Sequence, residues 1–159
     1  MHVPSGYPEV VAMYGDPSPR VLSTGELVVS PAWERANMVL VRNLPGVAKL
    51  YCHRLIVEPL RRALTTATAT GWAPKTIGCF SPRAKRSSAH LSLHTFGVAV
   101  DIDAADNAMI LHCAPDDERR KVYAMPDAVI AAFAAEGFMW GGAFSASFDP
   151  MHFQLATGC

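Results

Sequence analysis

The stretch SLHTFGVAVDID, residues 92–103, sets His94 and Asp101 seven positions apart around an apolar run, and DPMHFQ, residues 149–154, adds His152 with Asp149 three positions before it. Imidazole nitrogens and carboxylate oxygens are zinc ligands. Two histidines and one carboxylate leave a fourth tetrahedral position to water, the arrangement of a catalytic rather than a structural zinc site. Read as a strand, the stretch puts Gly97, Ala99, Asp101 and Asp103 on one face and Val98, Val100 and Ile102 on the other. The small, acidic face has room for a cation or a substrate, whereas Asp103, next to AADN, reads as the cap of the following turn. Seven extended residues would separate His94 from Asp101 by roughly 23 Å, while zinc ligands lie about 2 Å from a common ion. Sharing a metal therefore requires a bend, and Gly97 is where the backbone permits one.

His152 supplies the third ligand and shares a face with Gln154, opposite Met151, Phe153 and Leu155. Asp149 has the wrong parity for that face, so it belongs on the preceding turn, where Pro150 biases it toward extended backbone. A carboxylate placed there can take a proton from an attacking water and hand it to a leaving amine. The same residue also reads as an Asx turn cap. His90 and His94 are four apart, as in half of an HExxH helix, but no glutamate follows His90 and SSAHLSLH runs into a strand. His2, His53 and His112 have no ligand partner at useful spacing and read as structural or surface groups.

The elements that must position these residues follow from periodicity and turn chemistry. Residues 1–48 are rich in proline and glycine, with strand-like runs ELVVS and NMVLVR bounded by STG and NLPG turns, and read as an N-terminal wrap. From His53 to Thr70, Leu55, Ile56, Leu60 and Leu64 fall at helical spacing, with Pro59 in the first turns and Gly71 as the stop. KTIGCF predicts a strand before the basic loop SPRAKRSSAH. PDAVIAAFAAEG predicts a short helix with proline near its start and glycine at its end, and FMW and MHFQLA predict two further strands. This pattern predicts an α+β fold, a small, mainly antiparallel sheet flanked by helices. Residues 1–159 read as a single domain, with residues 76–156 as its motif-bearing core.

The chain has 159 residues, 50% of them hydrophobic, enough for one core, and 14 basic side chains balance 14 acidic ones. A chain of zero net charge has no global field to draw in nucleic acid or an anionic membrane. No apolar run approaches a membrane span, and the opening MHVPSGYPEV has neither the basic nor the apolar region of a signal peptide. The expectation is a soluble monomer with no export signal. Cys52, Cys79, Cys113 and Cys159 are widely spaced without a CxxC pair, which predicts reduced, mostly buried thiols.

Two motifs carry a resemblance. SLHTFGVAVD fits the pattern S-x-H-x-x-G-x-A-x-D, and GFMWGGAFSASFDPMHFQ fits the ending W-G-G…D-P-x-H-F. The chain thereby resembles the VanY-like D-alanyl-D-alanine carboxypeptidases and phage L-alanyl-D-glutamate peptidases, zinc peptidases of peptidoglycan whose fold is shared with the hedgehog zinc domain. With GCFSPR, the resemblance spans Cys79 to Gln154. It implies one zinc per chain held by His94, Asp101 and His152, with Asp149 as general base where many relatives carry glutamate. Arg83, in SPRAKR, aligns with an arginine that faces the substrate or the developing oxyanion, which a guanidinium can bind through two parallel hydrogen bonds. Lys85 and Arg86 could serve the same peptide but read as solvated charges. Ser92 fills a serine position that supports the site or touches substrate, and Trp140 is a core aromatic or a wall of the cleft. The implied activity is hydrolysis of stem peptides of the bacterial cell wall. An endolysin-like L-alanyl-D-glutamate endopeptidase is the first expectation, made in the cytoplasm and acting at the wall after release. A D-alanyl-D-alanine carboxypeptidase is the second. A non-catalytic, hedgehog-like zinc module is the third, against which the presence of Asp149 speaks.

Overall fold

The structure, a computed structural model, describes residues 2–85 and 90–159. Along the chain run α1 (Gly6–Tyr14), β1 (Arg20–Val21), β2 (Leu27–Val28), α2 (Pro31–Asn37), β3 (Met38–Leu44), β4 (Val47–His53), α3 (Val57–Thr68), β5 (Ile77–Gly78) and β6 (Ala99–Ile102). β7 (Ile110–Leu111), α4 (Asp127–Ala135), β8 (Met139–Trp140), β9 (Ser147–Phe148) and β10 (His152–Gln154) follow. The fold is α+β, and its strand pairings are antiparallel.

The N-terminal stretch holds more than the two strands its composition suggests, because two of its prolines start helices. Pro8 lies in the first turn of α1 and Pro31 at the start of α2, where a missing N–H breaks no helical hydrogen bond. Ser30 caps α2 by accepting the Trp33 N–H at 3.5 Å, and Gly15, at φ +79°, ends α1. The NLPG turn joins β3 and β4 as a hairpin that runs to His53, so the helical pattern starts after that residue. His53 stops the strand and caps a short 3₁₀ turn, Arg54–Ile56, by accepting the Leu55 N–H. α3 then buries Pro59, Leu60, Ala63, Leu64 and Ala67, the face its periodicity predicts.

The sheet that matters for the site has the order β5-β6-β10-β8. Its pairing sets His152 opposite Asp101, Phe153 opposite Val100 and Gln154 opposite Ala99. Val98, Val100, Ile102, Phe153 and Leu155 are fully buried, and Phe153 meets Phe133 of α4 with ring centroids 4.5 Å apart. One continuous apolar cluster takes in Val10, Trp33, Leu60, Val100, Phe133 and Phe153, so helices from both halves of the chain cover one face of the sheet. Its other face carries the polar residues. The four cysteines are free thiols, and Cys52, Cys79 and Cys113 are buried. No helix of the described residues is long and apolar enough to cross a membrane.

Candidate metal centre

His94 sits on a 3₁₀ turn, Leu93–Phe96, rather than on a strand. Ser92 caps that turn, its hydroxyl accepting the His94 N–H at 3.4 Å, and Gly97 ends it in the left-handed region at φ +65°. Gly97 is therefore the required bend. A side chain there would also strike Met38, with Cβ 2.6 Å from its terminal methyl, and the His53 backbone nitrogen at 2.9 Å. The reversal brings His94 back over β6.

There His94 Nε2 lies 3.1 Å from Asp101 Oδ1 and 3.2 Å from His152 Nδ1, and His152 Nδ1 lies 3.0 Å from Asp101 Oδ1. The other nitrogen of each ring identifies the tautomer. His94 Nδ1 meets the Cys79 carbonyl at 2.6 Å, and a carbonyl can only accept, so the proton is on Nδ1 and the lone pair is on Nε2. His152 Nε2 meets Gln154 Oε1 at 3.0 Å, and Gln154 is oriented by donating its amide to the Ala156 carbonyl at 3.0 Å. The His152 lone pair is therefore on Nδ1. Three acceptors, two of them almost fully buried, converge with no proton among them. That donor set suits a cation. Its spacing suits zinc, since a tetrahedral ion bonded at roughly 2.0 Å keeps its ligand atoms roughly 3.3 Å apart.

Asp149 lies on the turn between β9 and β10, as its parity requires. Its N–H donates to the Gly141 carbonyl at 3.1 Å, and its carbonyl accepts the His152 N–H at 3.1 Å. The W-G-G run acquires a physical reason here. A Cβ on Gly141 would lie 2.5 Å from the Asp149 carbonyl oxygen and 3.0 Å from the Cβ atoms of both Asp149 and His152. A Cβ on Gly142 would lie 2.3 Å from the Trp140 ring. Trp140 is half-buried against Tyr123 and Phe148 and donates its indole N–H to the Pro150 carbonyl at 2.9 Å, which braces the Asp149–His152 turn from behind.

Arg83 is exposed, and among the described residues its guanidinium has no hydrogen-bond or ionic partner. Its backbone, in contrast, is held at both ends. Thr95 Oγ1 accepts the Arg83 N–H and donates to the Arg83 carbonyl, each at 2.9 Å, and the Ser92 N–H also reaches that carbonyl at 2.9 Å. The His94 turn thus holds the Arg83 loop beside it. Lys85 is exposed, and Arg86 lies outside the described residues. A cavity of about 450 Å³ flanks this loop, lined by Arg20, Leu27, Val28, Glu34, Phe80 and Pro82.

Asp103 is the turn cap its surroundings suggest, its Oδ1 accepting the N–H groups of Lys75 and Thr76 at 2.7 and 2.8 Å. His53 is buried and structural, donating from Nε2 to the Tyr14 carbonyl at 3.2 Å. Sequence reasoning passed over Gln154, Thr95 and the Cys79 carbonyl. The only signal for Gln154 was its place on the His152 face. Nothing in sequence marks a backbone carbonyl as a histidine partner.

Residues 85–155 match a family model described as D-alanyl-D-alanine carboxypeptidase. The matched segment contains Ser92, His94, Asp101, Trp140, Asp149 and His152, and begins two residues after Arg83. No curated protein and no solved structure matches the chain.

Proposed function

We propose, from the match of residues 85–155 to a family model described as D-alanyl-D-alanine carboxypeptidase, that the chain is a zinc peptidase of peptidoglycan stem peptides with a hedgehog-like fold. The observation that carries this reading is the convergence of His94 Nε2, Asp101 Oδ1 and His152 Nδ1, which lie 3.0–3.2 Å from one another. One zinc ion held there would supply the Lewis acidity that makes water a nucleophile near neutral pH. The rest is the work of the chain's own residues. Asp149 takes the proton of the attacking water on a carboxylate oxygen and returns it to the nitrogen of the leaving amine. The Arg83 guanidinium, permanently charged and internally unpaired among the described residues, binds the peptide's carboxylate or the developing oxyanion through two parallel hydrogen bonds.

The bond we assign is the one between L-Ala and D-Glu. A second reading, removal of a terminal D-Ala, is favoured by the description of the matched family. Digestion of purified cell wall, with and without a chelator, tests both. New D-Glu amino termini support the endopeptidase, free D-alanine supports the carboxypeptidase, and chelator-resistant cleavage or no cleavage overturns the zinc peptidase.

A further inference from the structure

We infer that Arg120 is a positioning residue for Asp149, an inference that rests on the proposed role of Asp149 as general base. Arg120 lies on a short 3₁₀ turn, Glu118–Lys121, well before the second motif. Its Nε donates to the Ala114 carbonyl at 2.6 Å and its Nη1 to the Gly142 carbonyl at 3.1 Å. Its Nη2 reaches the carbonyls of Cys113 at 2.5 Å, Phe144 at 2.6 Å and Ser147 at 3.0 Å. The guanidinium carbon also sits 5.5 Å from the centre of the Phe148 ring. Among the described residues no carboxylate pairs with it, so five carbonyl dipoles and one aromatic face surround its charge.

Three of those carbonyls belong to the loop that leaves Trp140 and arrives at Asp149. At its far end that loop is tied by β9, whose Ser147 and Phe148 pair with Leu111 and Ile110 of β7; the segment between Gly142 and Ala146 has fewer ties. Phe144 and Asp149 both donate to the Gly141 carbonyl, at 3.2 and 3.1 Å, and Ala146 accepts the Cys113 N–H at 3.3 Å. Carbonyl oxygens aimed at one spot repel each other unless a cation stands between them. Together with the β7–β9 pairing, Arg120 therefore holds this shape between Gly142 and Ser147, and through the Gly141 and Gly142 peptides the same shape sets where Asp149 emerges. Lysine cannot substitute, since one compact ammonium lacks the planar fork that reaches several acceptors at once. Arg120 makes no hydrogen bond or ion pair with His94, Asp101 or His152, and reaches His152 only through Phe144, whose ring lies 5.8 Å from the imidazole, so zinc is expected to stay bound without it.

The test uses the zinc-loaded full chain with Arg120→Met and Arg120→Lys. The substrate is a synthetic stem pentapeptide containing both an L-Ala–D-Glu and a D-Ala–D-Ala bond. Both variants are expected to keep one zinc per chain. Hydrogen exchange should accelerate about tenfold or more at the Phe144 and Asp149 amides, while the Ile102 and Leu155 amides, which belong to the sheet, stay protected. Turnover should fall on the order of 100-fold in kcat for Arg120→Met, with KM within about threefold of wild type. Arg119→Gln, which removes the neighbouring charge paired with Asp117, should leave every measurement unchanged. Unchanged exchange at Phe144 and Asp149 overturns the inference, as does wild-type kcat in a variant whose loop has loosened. If Arg120→Met does not fold, Arg120→Lys, which keeps the charge, decides by the same criteria. If the wild-type chain cleaves neither bond, the functional proposal fails by itself, and exchange alone decides whether Arg120 holds the loop.

Discussion

His152 and Gln154, two residues apart on one strand, meet side chain to side chain at 3.0 Å, and the contact sets which imidazole nitrogen faces Asp101 and His94 in the candidate metal centre. Because the Gln154 amide is itself held by the Ala156 carbonyl, a chain of three groups, ending in a lone pair, runs from the backbone to the ligand position.

Gln154→Met is therefore expected to leave the fold intact while weakening zinc affinity about 10- to 100-fold, the usual consequence of losing an orienting partner of a histidine ligand. Competition titration against a chromophoric chelator measures it. Wild-type affinity in the variant would show that the sheet alone orients His152.

Asp149→Asn separates three roles for one carboxylate. As general base, its loss should cut turnover about 100-fold or more with zinc content and melting temperature unchanged. As an additional ligand, its loss should lower zinc affinity, and excess zinc should restore part of the activity. As a turn cap, it should be replaceable by asparagine with no penalty, since asparagine caps such turns equally well. The first outcome is expected.

The same turn can be disturbed from below. Gly141→Ala should destabilise the protein by about 1–3 kcal/mol, because the added methyl meets backbone rather than a flexible side-chain end. Turnover should fall further than stability does, since the atoms displaced are those of Asp149 and His152. Thermal melts and initial rates on the same preparation check both, and a variant with wild-type rates would show that the turn yields without moving its carboxylate.

His53 makes acid sensitivity predictable. Burial pushes this histidine down to about 4, against an ordinary value of about 6.5 in the unfolded chain. Between those two values the unfolded state binds the proton and the folded state does not, so the stability contribution is full above pH 6.5 and is lost as pH falls toward 4. The loss amounts to on the order of 3 kcal/mol. Urea unfolding at several pH values, with His53→Gln alongside to subtract other groups, is expected to show a shallower decline in the variant.

Much of the site could be read from types and spacing. His94, Asp101 and His152 are brought together, Gly97 supplies the bend, and Asp103 caps a turn. Each of these rests on local geometry that residue type controls. What escaped belongs to two kinds. The helices α1 and α2 were hidden because Pro8, Gly15 and Pro31 look like loop punctuation when the helix they start or end is short. The contacts of Arg120 and Thr95 are made to backbone groups and that of Cys79 by its own carbonyl, groups that every residue possesses, so no pattern of side chains marks them.

Gly97 bears on where this protein could be cut. Its left-handed turn is closed from outside by Met38 and by the His53 backbone, whose N–H donates to the Gly97 carbonyl at 2.9 Å, while the Tyr14 hydroxyl reaches across to the Leu155 carbonyl at 2.7 Å. Met38, His53 and Tyr14 all lie outside the matched segment, residues 85–155. A fragment trimmed to residues 85–155 would retain the two motifs yet lose the groups that close the bend between two of the ligands. The minimal excisable unit is thus longer than the recognisable one, and any truncated or fused version should retain the chain from α1 onward.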